Sequence, residues 1–133
     1  MRLHGAMSYH FSKKLDVPFD QAVSRVTEAL KREGFGVLTD IDVAATLKAK
    51  LGEDFRPYRI LGACNPKLAY RALQLEDKIG TMLPCNVIVQ QHEGGVEVSA
   101  VDPVASMQAI ENPGLAEVAN EVRAKLKHVV ESL

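Results

Sequence analysis

The feature that most constrains the fold is a stripe of apolar side chains near the end of the chain. Leu115, Val118, Ala119, Val122, Leu126, Val129 and Leu133 recur at helical spacing behind Asn112-Pro113. Asn supplies an N-cap and Pro suits the first helical position, so the spacing predicts a long final helix with one apolar face. Arg123, Lys125 and Lys127 fall toward its C-terminal half, where cations complement the helix dipole. A second stripe, Phe19, Ala22, Val23, Val26, Ala29 and Leu30, predicts a helix over 18–33, with Asp20 in its first turn and Gly34 just past its end. Two such helices need an apolar surface broad enough to cover both stripes.

Alternating segments supply that surface. Ser8 to Lys14, Phe35 to Ile41, Tyr58 to Cys64, Leu83 to Gln91 and Val96 to Val101 read as strands, the last two joined by the hairpin signal Glu93-Gly94-Gly95. In the first of them Tyr9 and Phe11 share one face, and His10 is expected on the other, toward solvent. Short helices fit between strands: Asp42 caps one carrying Val43, Leu47 and Leu51 before Gly52 stops it, and Asn65-Pro66 opens another that runs to about Leu75. The reading is an α+β fold, a mainly antiparallel five-stranded sheet with the two long helices packed on one face. Residues 1–6 show no periodicity and are expected to be a disordered N-terminal extension, leaving 7–133 as a single α+β domain.

Charge and composition remove several function classes. Sixteen basic against seventeen acidic residues give a net charge of −1, so no global field gathers a phosphate backbone, and nucleic acid is not an expected partner. No window approaches the length of apolar sequence that spans a bilayer, and the start lacks a secretory signal, so no membrane association and a cytoplasmic location are expected. There is no phosphate-binding glycine loop, no nucleophile elbow, no helical His pair and no Cys-x-x-Cys. His4, His10, His92 and His128 are scattered without ligand spacing. The carboxylate pairs Glu53-Asp54, Glu76-Asp77 and Asp40/Asp42 fall where solvation and capping account for them, and Lys50 closes the short helix as a cation.

The exception is the pair Cys64 and Cys85. Cys64 precedes the Asn65 N-cap, where free backbone N–H groups favour a thiolate, and Cys85 opens the following strand. If these strands are antiparallel neighbours, both cysteines sit at the same end of the sheet. Alternation puts Cys64 in phase with Tyr58 and Ile60 and Cys85 in phase with Val87 and Val89, and both are expected on one side, their sulfurs close and one of them reachable from a pocket. Three readings stay open: apolar filler, a functional dithiol or metal pair, and a structural disulfide.

With Lys50-Leu51-Gly52, Tyr58-Arg59-Ile60-Leu61-Gly62-Ala63-Cys64-Asn65-Pro66, Leu83-Pro84-Cys85-Asn86-Val87 and Val101-Asp102-Pro103 assembled, the chain resembles the bacterial and archaeal "domain of unknown function 302" family over about Met7 to Leu133. The resemblance implies a fold of the TATA-binding-protein-like type, strand-helix-four strands-helix. It implies no activity, and it puts Cys64, Asn65, Pro66, Pro84 and Cys85 at signature positions. The expectation is therefore a binding or sensing protein, ranked ahead of an enzyme acting on a small molecule, with Cys64, Cys85 and Asn65 as its site. Its ligand is expected to be a thiophilic metal, Cu(I) or Zn(II), held by Cys64 and Cys85, or a thiol-reactive small molecule. Two cysteines are too few for a closed zinc site, so a metal needs further ligands. The alternative is a non-catalytic homodimer joined through a sheet edge or an apolar patch.

Overall fold

The computed structural model describes residues 8–133, so the extension expected over residues 1–6 lies outside the described residues. Five strands form one antiparallel sheet: β1 (His10–Leu15), β2 (Gly36–Asp42), β3 (Tyr58–Cys64), β4 (Cys85–His92) and β5 (Gly95–Val101). Their spatial order is β1-β5-β4-β3-β2, every neighbouring pair antiparallel. Between them run α1 (Phe19–Arg32), α2 (Val43–Leu51), α3 (Pro66–Leu75), a single 3₁₀ turn (Ile79–Met82), the short α4 (Pro103–Ser106) and α5 (Pro113–Glu131).

Three helices, α2, α3 and α5, begin where the sequence places a cap. Asp42, Asn65 and Asn112 accept from the backbone N–H three residues on, and Gly52 ends α2 in the left-handed conformation at φ 71°. Gly34, at φ 86°, turns the chain from α1 into β2; a Cβ there would come within 3.0 Å of Asn65 Nδ2. Asn65 thereby ties two elements, since its Oδ1 accepts from Leu68 N–H and its Nδ2 donates to the Glu33 carbonyl.

The two expected stripes meet on one sheet face. Ala22, Val26, Ala29 and Leu30 of α1 and Leu115, Val118, Val122, Leu126 and Val129 of α5 are buried against Leu61, Val87, Val89, Val96, Val98 and Ala100. Burial of such aliphatic side chains, about 1.5–3 kcal/mol each, is the main force holding the layers together. The helix-covered face also carries one strong ion pair: Arg59 grips Asp40 of the edge strand with two bonds, Nε to Oδ1 at 2.7 Å and Nη2 to Oδ2 at 2.6 Å. That guanidinium holds the Asp40 carboxyl below its usual range, burial opposing it only in part.

The loop after β5 is a second latch, and periodicity does not announce it. Asp102, 8% exposed, caps α4 through Val104 N–H and accepts from Arg123 Nε at 3.1 Å, joining α4 to α5. Arg123 also lies over the Phe11 ring at 5.1 Å. Its place in α5 thus does more than complement the helix dipole.

Candidate functional site

The site is built at the end of the sheet where β3 runs out and β4 begins. Ala63 stands directly opposite Cys85, and Leu61 opposite Val87, so these four side chains share the helix-covered face. Cys64 pairs instead with Gly36 of β2 and is the last residue of β3. The expected phase is therefore one residue off. Strict alternation turns Cys64 away from the face that Cys85 occupies, because Ala63, not Cys64, is the cross-strand partner of Cys85.

The end of the strand brings the two cysteines to a common place all the same. Beyond Cys64 the chain enters α3, and both cysteines border one cavity of about 320 Å³. Its floor is Ala63 and Cys85. Leu68, Ala69, Ala72 and Leu73 of α3 and Leu115, Val118, Ala119 and Val122 of α5 form its walls, and Gly80, Leu83 and Pro84 close one end. Other than the two thiols, no lining side chain titrates: Phe35, Leu38, Pro103 and Met107 complete the surface with Asn65 and Cys64. Leu38 and Leu73 stand at the rim 67% and 44% exposed, large apolar side chains left facing water beside an apolar hollow.

The two thiols differ. Both are free, Cys64 half-buried and Cys85 buried. Burial pushes the Cys85 thiol up to about 11, and the neighbouring Cys64 adds a smaller push in the same direction. Cys85 is therefore a neutral thiol in the cavity floor at physiological pH. Ladder geometry places the two Cα atoms about 6 Å apart, within the range of a disulfide, but Cβ directions that diverge oppose a bridge. The groups at the start of α3 are largely spoken for: Pro66 has no N–H, Leu68 N–H goes to Asn65 Oδ1 and Ala69 N–H to the Asn65 carbonyl. Asn65 is thus a cap whose amide is engaged at both ends, positioned beside the cavity by that role.

A thiophilic metal fits these residues poorly. Among the described residues no group of three or more His, Cys, Asp and Glu could hold an ion, and Cys85 must give up a proton that its surroundings retain. Among the described residues no histidine lines the cavity: His10 contacts Ser12, and His128 contacts Glu33 at the C-terminus of α1. No helix among the described residues is long and apolar enough to cross a membrane.

The cavity itself escapes sequence reasoning, since its walls have the same apolar periodicity as core. One sign is legible in retrospect. Leu73 and Leu38 are apolar residues outside the buried stripes of their elements, and both surround the opening.

Gly62 explains how β4 is delivered to this place. A Cβ on Gly62 would collide with Thr39 Oγ1 and come within 2.7 Å of Pro84 Cγ. The missing side chain lets the Leu83-Pro84 segment lie against β3 just before Cys85 enters the sheet. The Gly-x-Cys-Asn-Pro and Leu-Pro-Cys pieces of the sequence are in this sense one device, packed through Gly62 and Pro84.

Comparison with curated proteins gives no match. Among solved structures, the chain is similar to an uncharacterized conserved DUF302 protein from Bacillus stearothermophilus, at 31% identity, 92% of this chain, 96% of that one and a TM-score of 0.86. A family model, Domain of unknown function DUF302, matches residues 11–133, from the second residue of β1 through α5. The chain belongs to the DUF302 family.

Proposed function

We propose that this protein binds or senses a small, largely apolar, thiol-reactive molecule, held in the cavity beneath α3 and α5 with Cys64 as its sulfur contact. The observation that carries the reading is an apolar hollow of about 320 Å³ whose titratable lining groups are two free thiols. That volume is at the lower end of small-molecule pockets and has room for about ten water-sized groups. The hollow opens to water at its rim, and an apolar occupant would remove its apolar walls from solvent. The rim residues Leu38 and Leu73 extend the apolar surface outward, as an entry path for an apolar ligand requires.

Binding is favoured over turnover because no acid or base lines the cavity to activate Cys64 or to protonate a leaving group. The cysteine roles follow from position. Cys64, half-buried at the strand end, meets the ligand; Cys85, neutral in the floor, serves as a small polarisable wall. A reducing cytoplasm suits both, since each is a free thiol.

The test is a fluorescence titration with N-phenyl-1-naphthylamine, a neutral apolar dye that brightens on leaving water. Saturable enhancement is expected, weakened at least tenfold by Ala69→Phe, which fills the hollow from the half-buried face of α3. Enhancement identical in the variant contradicts the reading, as does none at all in the native chain.

A further inference from the structure

The sheet face turned away from α1 and α5 is uncovered, and it is not composed like a simply solvated face. Cross-strand register lines up Ile41, Ile60 and Ile88 on three adjacent strands, and Ser99 and Ser12 continue the row to the far edge. Water-facing sides of antiparallel sheets ordinarily carry polar residues at such positions. Ile41 is 47% exposed, and Tyr9, expected with Phe11 on the other face but preceding β1 and so outside its alternation, stands at the margin of this face 68% exposed.

Six polar groups of this face are paired with one another, while Asn86 at the trough makes no side-chain hydrogen bond among the described residues. His10 Nδ1 lies 2.7 Å from Ser12 Oγ, which lies 2.7 Å from Ser99 Oγ. Arg56 Nε donates to Gln90 Oε1 at 3.0 Å, and Gln90 Nε2 donates to Glu97 Oε1 at 3.4 Å. Groups paired in this way lose little on leaving water, whereas unpaired ones carry a desolvation penalty. The face is thus prepared for burial. It is also concave, holding a trough of about 410 Å³ bordered by Tyr9, Tyr58, Asn86 and Ile88.

We propose that this face is the contact surface of a homodimer, in which two copies bring their open sheet faces together about a two-fold axis and each Tyr9 enters the trough of the other. Charge favours a second copy as the occupant. In an isologous contact a face meets its own image, so any strong net charge repels itself; here Lys14 stands 3.6 Å from Glu93 and Arg56 is linked through Gln90 to Glu97, so two cations face two carboxylates. Size fits a reversible dimer. Five strands about 4.8 Å apart and about 20 Å long give a plan area of about 480 Å², or about 960 Å² over both partners, the size of a weak, reversible association. An exposed tyrosine beside a trough on the same face supplies the knob and the hole that such a contact needs.

Sedimentation equilibrium of the full chain at tens of micromolar tests this. The expected result is a mass of twice 14.5 kDa, with dissociation constants raised at least tenfold by Ile88→Glu and by Tyr9→Ser. Circular dichroism checks that each variant is folded. Tyr9, being 68% exposed, can be replaced without disturbing the core, so the test stands even if Ile88→Glu fails to fold. A monomer overturns the proposal. So does a dimer whose affinity both variants leave unchanged, since its contact then lies on another surface, such as the free edge of β2.

Discussion

Replacing Gly62 by Ala tests how the site is assembled. At an open strand position this change is neutral or stabilising by up to about 1 kcal/mol, because alanine restricts the unfolded chain. At Gly62 the new methyl meets Thr39 Oγ1 and lies 2.7 Å from Pro84 Cγ, and a ring locked into the backbone yields less than a rotatable side chain. Overpacking of this kind costs about 1–3 kcal/mol, which for a chain of 133 residues lowers the melting temperature by about 4–12 °C. Gly36 is the control: it lies in β2, and a Cβ there meets nothing within 4 Å, so Gly36→Ala should be neutral or slightly stabilising. Thr39→Ala in the Gly62→Ala background should recover part of the loss, the Pro84 contact retaining the rest, and the double-mutant cycle should show a coupling of at least about 0.5 kcal/mol. The assay is thermal unfolding of the four variants followed by circular dichroism. A Gly62→Ala protein as stable as the native chain refutes the packing argument.

Three further outcomes follow from the same geometry. Asp102→Ala should destabilise the fold by about 2–3 kcal/mol, measured by urea denaturation, because it removes the cap of α4 and leaves Arg123 unpaired; a loss no larger than an exposed substitution makes would show the latch to be idle. The Cys85 thiol, raised in the fold from 9.0 to about 11, adds stability that is full below pH 9 and is lost as pH rises toward 11, since the unfolded chain releases its proton first. Compared with Cys85→Ala, the native chain should therefore lose of order 2 kcal/mol more over that interval, and parallel stability curves would contradict the burial argument. Under iodoacetamide at neutral pH, peptide mass mapping should find Cys64 modified well before Cys85, and the reverse order would contradict the assignment of Cys64 to the opening.

Much of the fold is legible because its signals are local. Asp42, Asn65-Pro66, Asn112-Pro113, Gly34 and Gly52 mark helix ends by chemistry that acts within a few residues, and α2, β3 and α3 begin and end where those residues put them. The apolar stripes of α1 and α5 identify the covered sheet face. What sequence does not disclose depends on register and on packing between distant segments. The offset of Cys85 against Ala63 is decided by the whole β3–β4 ladder, and a one-residue difference moves Cys64 to the other side. The 3₁₀ turn with its buried Ile79, the Asp102–Arg123 latch and the cavity under α3 arise in the same non-local way. His10, expected toward solvent, does lie on the open face, but engaged with Ser12 and Ser99 in a chain that pairs β1 with β5.

The central claim, that the hollow under α3 and α5 receives an apolar ligand, is tested most directly by methyl NMR of leucine- and valine-labelled protein during titration with N-phenyl-1-naphthylamine. The account predicts shifts concentrated on Leu68, Leu73, Leu83, Val118 and Val122, which line the cavity, with Val89, Val96 and Val129 of the closed core unmoved. Shifts spread evenly over both groups, or absent from the cavity methyls while the dye is bound, would contradict it.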